Sequence, residues 1–160
     1  MIRGEIQVKK FDNILLPTDG SKDSEEALKY AIPIAKKFDS TIHILHVMYR
    51  DILYLREQVE LTKSLREEVN EEIEKGSLDA YKQVIKSMLK KVEDKGLKAE
   101  SKILEGVPYK KINEYAKNEE IDLIVMSNRG LGGLERMMMG STTDKVIRSS
   151  EIPVMTVRVG

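Results

Sequence analysis

The chain has no cysteine and no tryptophan. Without thiols there is no disulfide, no thiolate metal site and no cysteine nucleophile. Histidine occurs only at His43 and His46, too sparsely for a histidine-rich metal centre. Net charge is missing too, since Lys+Arg and Asp+Glu each number 27. A dedicated nucleic-acid binder shows a basic surplus or stripe, so nucleic acid is not an expected partner. No apolar run approaches the roughly 18 residues of a membrane span. Met1 to Phe11 mixes charges with single apolar residues and lacks the apolar centre of a signal peptide. These absences predict a soluble, cytoplasmic protein with no membrane partner.

At 160 residues the expectation is a single domain, 1–160, large enough to bury a core. Short apolar runs alternate with helical patterns. Asn13-Ile14-Leu15-Leu16-Pro17 reads as a buried strand, stopped by Pro17 and the turn residues Asp19-Gly20. A helical period follows from Ser24 through Ala27, Leu28, Ala31, Ile34, Ala35 and Phe38, with Ser21 or Asp23 as cap and a kink expected at Pro33. Thr41 to Met48 is β-branched and apolar, hence strand two. Arg50 to Gly76 is a charged insert with helical spacing, expected to break at Gly76-Ser77. A second helix carries the stripe Tyr81, Val84, Ile85, Met88, Leu89 and Val92 and ends at Gly96. Lys98 to Glu105 is a less apolar strand, expected near a sheet edge. Pro108 opens the next helix, with Ile112, Tyr115 and Ala116 facing in. Ile121 to Met126 is strand four, Thr143 to Ser150 a short helix, and Ile152 to Val159 the last strand.

The strands read as continuous apolar runs, so both faces of the sheet are covered by helices. The fold class is α/β, a doubly wound parallel sheet of five strands. In such sheets a ligand binds at the carboxyl ends of the strands where strand order reverses. For a flavodoxin-like or a 3-2-1-4-5 order, the reversal lies between strands one and four. The turns there are Leu16-Pro17-Thr18-Asp19-Gly20 and Met126-Ser127-Asn128-Arg129-Gly130, the two richest in small and polar residues. After the second come Gly140, Ser141, Thr142 and Thr143, where glycine lets backbone approach a ligand and hydroxyls lie beside helix N–H groups. A nucleotide suits this crevice, with phosphates at Gly130, Gly140, Ser141 and Thr142. Asp19, a poor neighbour for phosphate unless Mg2+ intervenes, belongs to the ribose or base side.

These residues resemble the universal stress protein (UspA-like) family, ATP-binding subgroup, over the chain outside the 50–76 insert. The resemblance rests on Ile14 to Ser21 with Ser24 and Ala27-Leu28, on His46-Val47, and on the loop from Ser127 with Pro153-Val154. The family's ATP motif, Gly-x2-Gly-x9-Gly-Ser/Thr, reads here Ser127-x2-Gly130-x9-Gly140-Ser141, with Ser127 in place of the first glycine. The resemblance implies an adenine-nucleotide α-hydrolase-like sheet of order 3-2-1-4-5 with a helical insert after strand two. It implies ATP as ligand, with Mg2+ held by the phosphates rather than by a protein metal site. Pro17, Thr18, Asp19 and Val47 would take the base and ribose. Met126, Ser127, Arg129, Gly130, Gly140, Ser141, Thr142 and Thr143 would take ribose and phosphates. It further implies a homodimer through the last strand, Ile152 to Val157, and output through an unidentified protein partner.

No residue stands out as a catalytic base, so at most slow ATP hydrolysis is expected. A PP-loop ATP pyrophosphatase is one alternative, because Gly20, Asp23 and Ser24 match its Ser-Gly-Gly-x-Asp-Ser loop. Against it, Asp19 would set a negative charge on pyrophosphate. A structural dimer without nucleotide is the other, kept open by Ser127. Blander roles are also weighed: Asp19 capping its turn, Ser141 as helix N-cap, Arg129 solvated, both histidines satisfied in the core, Met137 to Met139 as packing, and the insert as a solvated helix or partner-binding arm.

Overall fold

A computed structural model describes residues 7–48, 63–129 and 139–159; the side chains of 63–75 and 77 are outside the description. Gly130, Met137, Met138 and the 50–62 part of the charged insert therefore lie outside the described residues. The elements are β1 (Asn13–Thr18), α1 (Lys22–Glu26), α2 (Leu28–Phe38), β2 (Thr41–Met48), α3 (Lys63–Glu93), β3 (Ala99–Glu105), α4 (Pro108–Asn118), β4 (Leu123–Ser127), α5 (Ser141–Ser149) and β5 (Val154–Val157). The strands form one parallel five-stranded sheet of order β3-β2-β1-β4-β5. Of the two orders the residues left open, this is 3-2-1-4-5, with the reversal between β1 and β4.

Side chains alternate across each strand, so one run feeds two cores. Ile14, Leu16, Ile42, Ile44, Leu123 and Val125 pack on one face against Leu28, Ala31 and Ala35 of α2 and Ile85, Met88 and Val92 of α3. Leu15, Leu45, Ile124 and Met126 pack on the other against Ile112 and Ala116 of α4 and Val146 of α5. Each fully buried aliphatic side chain contributes about 1.5–3 kcal/mol. β3 lies at an edge, and Glu100, Ser101 and Lys102 are exposed on it. β1 and β4 are in register at Ile14–Leu123 and Leu15–Ile124, and their pairing stops there. Pro17, two residues on, has no N–H to give a ladder. The carboxyl halves of the two central neighbours thus part where the order reverses.

Several local expectations are corrected. α3 runs unbroken through Gly76 and Ser77, so the described part of the insert, 63–76, continues into the striped helix. One glycine costs a helix interior only about 1 kcal/mol, and the stripe beyond it anchors the whole element. The interruption in the first helical pattern falls at Ala27, between α1 and α2, while Pro33 sits inside α2. Ser21 is the cap of α1, its hydroxyl accepting from the Ser24 N–H. β5 is shorter than expected because Ser150 closes a tight turn on Ile152 and Pro153 carries no donor. α5 starts at Ser141 with Gly140 as its N-cap, so Ser141 is the first helical residue and not the cap.

Candidate functional site

The end of β1 is fixed by its own polar groups. Ser24 Oγ donates to the Ser21 carbonyl (2.8 Å), so the Thr18 hydroxyl donates to Ser24 Oγ (2.8 Å). Thr18 Oγ1 in turn accepts from the Gly20 N–H (3.1 Å), and Asp19 Oδ1 accepts from the Ser21 N–H (2.9 Å). Gly20 has φ 82°, the left-handed region that glycine enters at little cost. A Cβ there would lie 3.3 Å from Tyr81 Cε1 of α3. Pro17 and Thr18 are buried, and Asp19 is half-buried.

Tyr81 also stacks on His46, with ring centroids 3.7 Å apart. His46 donates through Nδ1 to the Thr18 carbonyl (2.8 Å), tying β2 to the β1 end. Burial lowers the His46 pKa, opposed by the Thr18 carbonyl and the Asp19 charge. The neutral ring leaves Nε2 buried with no hydrogen-bond partner. The expectation of a fully satisfied core histidine therefore fails at His46. It holds at His43, where Nδ1 meets the Tyr115 hydroxyl (3.1 Å) and Nε2 meets Asn13 Oδ1 (3.3 Å). Val47 follows His46, half-buried against the second core.

The end of β4 is tied to the start of α5. Thr143 is buried, and its hydroxyl donates to the Ser127 carbonyl (2.9 Å). The Gly140 N–H donates to the Asn128 carbonyl (2.7 Å). Asp144 is the first residue to close the α5 ladder, onto the Gly140 carbonyl (2.9 Å). The N–H groups of Ser141, Thr142 and Thr143 precede that ladder, at the positive end of the helix dipole. Ser141 is exposed and Thr142 half-buried. Ser127 is buried, and its hydroxyl donates to the Arg129 carbonyl. Arg129 is not a solvated charge, because its Nη2 donates to the Val159 carbonyl. Met126 is buried in the second core.

Ser127, Arg129, Gly140 and Thr143 are thus joined in one hydrogen-bonded group. Ser141 and Thr142 follow directly from it. Pro17, Thr18, Asp19 and Val47 stand at the carboxyl ends of the neighbouring strands β1 and β2, while Gly130 is outside the described residues. Sequence reasoning put Asn128 in the crevice turn and His46 beside Val47, but gave Asn128, Tyr81 and His46 no role in the site. Asn128 had a signal, being an amide at a strand end; Tyr81 looked like any member of a helical stripe. Among the described residues no group of three or more His, Cys, Asp or Glu is arranged to hold a metal, and no helix is long and apolar enough to cross a membrane.

A model of the universal stress protein family matches residues 10–158. The chain is 36% identical over 153 residues to universal stress protein MJ0531 of Methanocaldococcus jannaschii, covering 92% of this chain and 82% of that one. Its structure is similar to that of universal stress protein UspA from Lactobacillus plantarum, with a TM-score of 0.79, 26% identity, and coverage of 94% and 100%. Two more distant structures share the fold. One is a universal stress protein in complex with cAMP, with TM-score 0.63, 20% identity, and coverage of 93% and 98%. The other, from Archaeoglobus fulgidus in complex with dAMP, has TM-score 0.59, 16% identity, and coverage of 94% and 98%.

Proposed function

The chain belongs to the universal stress protein family, and on that premise we propose that it binds ATP and works as a nucleotide-dependent regulatory dimer. One observation carries the reading. The N–H groups of Ser141, Thr142 and Thr143 stand ahead of the first α5 bond, on a helix start tied to β4 at the sheet's reversal point. Unladdered N–H groups and a helix dipole suit phosphate oxygens without a lysine. The base and ribose then lie towards Pro17, Thr18, Asp19 and Val47. Members of the fold solved with cAMP and dAMP make an adenine nucleotide the reasonable ligand class. Mg2+ would arrive on the phosphates, since the described residues offer it no carboxylate cluster. β5 lies at a sheet edge, so among the described residues no strand lies beside its outer backbone groups, and an edge of that kind suits pairing with a second copy.

The proposed role is binding rather than turnover, because no residue of the sequence stands out as a base for an attacking water. One observation favours the nucleotide-free alternative: Ser127 fills the first glycine position of the motif and turns its hydroxyl inward onto the Arg129 carbonyl. Gly140→Val separates the two. Gly140 has φ −59° and ψ 144°, values open to any residue, so the substitution tests space and not backbone strain. Calorimetry should show Mg-ATP binding to the parent chain and at least about a hundredfold loss in Gly140→Val, the scale of one blocked set of charge-assisted hydrogen bonds. Equal binding by both chains would move the phosphates elsewhere. Binding by neither would favour the nucleotide-free dimer.

A further inference from the structure

The ladder between β4 and β5 does not end at Ser127–Val157. It continues on the next two residues. The Asn128 N–H donates to the Val157 carbonyl (2.9 Å), and the Val159 N–H donates to Asn128 Oδ1 (3.1 Å). The Arg129 guanidinium then takes the Val159 carbonyl. The same short segment holds the α5 start through the Asn128 and Ser127 carbonyls. Residues 127–129 are therefore a node with the candidate anion site on one side and the end of the edge strand on the other.

Arg129 is the weakly satisfied member of that node. A guanidinium carries five N–H donors and a permanent charge. Here its hydrogen-bonded acceptor is a neutral carbonyl, and its Nε is buried without a hydrogen-bond partner. A phosphate oxygen is a stronger acceptor for a guanidinium than a peptide carbonyl, being charged and able to take two donors at once. Arg129 follows Ser127 and Asn128, whose carbonyls hold the α5 start, so an anion there lies next along the chain to the residue whose side chain Val159 now holds.

We propose that Arg129 couples the anion site to the segment after β5: a bound polyphosphate draws the guanidinium off the Val159 carbonyl and loosens that end of the edge strand. This rests on the reading of the α5 N-terminus as a phosphate site. Linkage makes the effect reciprocal. A partner that pins Val159 in its present place weakens polyphosphate binding by the factor by which polyphosphate loosens Val159.

The test is amide hydrogen exchange of Val159 in the full chain, read by NMR, with Mg-ATP and separately with tripolyphosphate. Saturating Mg-ATP should speed Val159 exchange about tenfold, the scale of one charge-assisted hydrogen bond lost from the segment. Tripolyphosphate, which carries only the charge, should do the same. In Arg129→Gln, Val159 should exchange fast without ligand and gain nothing from either. Should that variant fold poorly, the parent chain alone decides. Val159 exchange unchanged or slowed while calorimetry shows Mg-ATP bound overturns the coupling and leaves the nucleotide reading intact. Absence of Mg-ATP binding overturns the nucleotide reading, and tripolyphosphate then decides the coupling: faster exchange supports it, unchanged exchange overturns it.

Discussion

Gly20→Ala meets two obstacles at once. At φ 82° an L-residue carries the strain of the left-handed region, about 1–2 kcal/mol. Its Cβ would also stand 3.3 Å from Tyr81, a ring restrained by its stack on His46 with centroids 3.7 Å apart. Urea unfolding of Gly20→Ala should show a loss of about 1–2 kcal/mol or somewhat more, with the slope unchanged. An unshifted midpoint would mean that the turn relaxes and that Tyr81 does not brace it. The chemistry of this turn was legible in the sequence, since Thr18, Asp19, Ser21 and Ser24 are small polar residues crowded after an apolar run. Its bracing was not. Tyr81 has the spacing of an ordinary core residue, and only the packing of α3 over β2 and β3 reveals that it stacks on His46 and stands where a side chain at Gly20 would go. Arg129 was equally opaque. Its side chain turns to Val159, thirty residues along, and no local pattern announces such a partner.

At the scale of the element, Gly76 shows how local signals mislead. Gly-Ser reads as punctuation between two helices, yet α3 passes through it. Helix formation is cooperative, and a residue in the interior inherits its neighbours' conformation unless the cost is large. Gly76 is exposed, and a Cβ there would meet nothing within 4 Å. Gly76→Ala should therefore stabilise the protein by about 0.5–1 kcal/mol, through helix propensity alone. A loss in thermal or urea unfolding would mean that position 76 needs glycine for a bend or for a contact not seen here. Strands were easier to read than helix ends. Ile14 to Leu16, Ile42 to Leu45 and Leu123 to Met126 are buried on both faces, so nearly every residue had to be apolar. The last strand was overdrawn because apolar character extends beyond its hydrogen bonds: Ile152 packs on the second core while sitting in a turn. The start of α5 was misjudged for the opposite reason. Ser141 is a favoured cap residue by type, but Gly140 occupies the cap because its N–H is drawn to Asn128.

Across the whole molecule, the two histidines and Tyr115 lock the helical layers to the sheet. His43 joins β2 to Tyr115 of α4 and Asn13 of β1, and His46 joins β2 to the β1 end beneath Tyr81 of α3. Both histidines are buried and Tyr115 is half-buried, so their titration is linked to folding. Burial lowers both histidine pKa values from 6.5, against opposing charges of Glu100 and Glu119 at His43 and Asp19 at His46. The unfolded chain then takes up protons first as pH falls. The stabilisation from keeping the rings neutral is whole above pH 6.5 and declines as pH drops below it. Tyr115 runs the other way. Burial, reinforced by Glu119 and Glu100, raises its pKa from 10.0 to about 12. The folded chain keeps that proton longer, so its contribution is whole below pH 10 and is lost as pH rises towards 12. Urea midpoints should therefore be flat between these limits and fall on both sides. Tyr115→Phe should remove part of the alkaline fall, because no phenol remains to titrate there. It also takes the hydroxyl from His43 Nδ1, which should lower stability at neutral pH by about 1 kcal/mol, one part-buried hydrogen bond. An alkaline limb as steep in Tyr115→Phe as in the parent would mean that the Tyr115 hydroxyl has no part in holding α4 to the sheet at high pH.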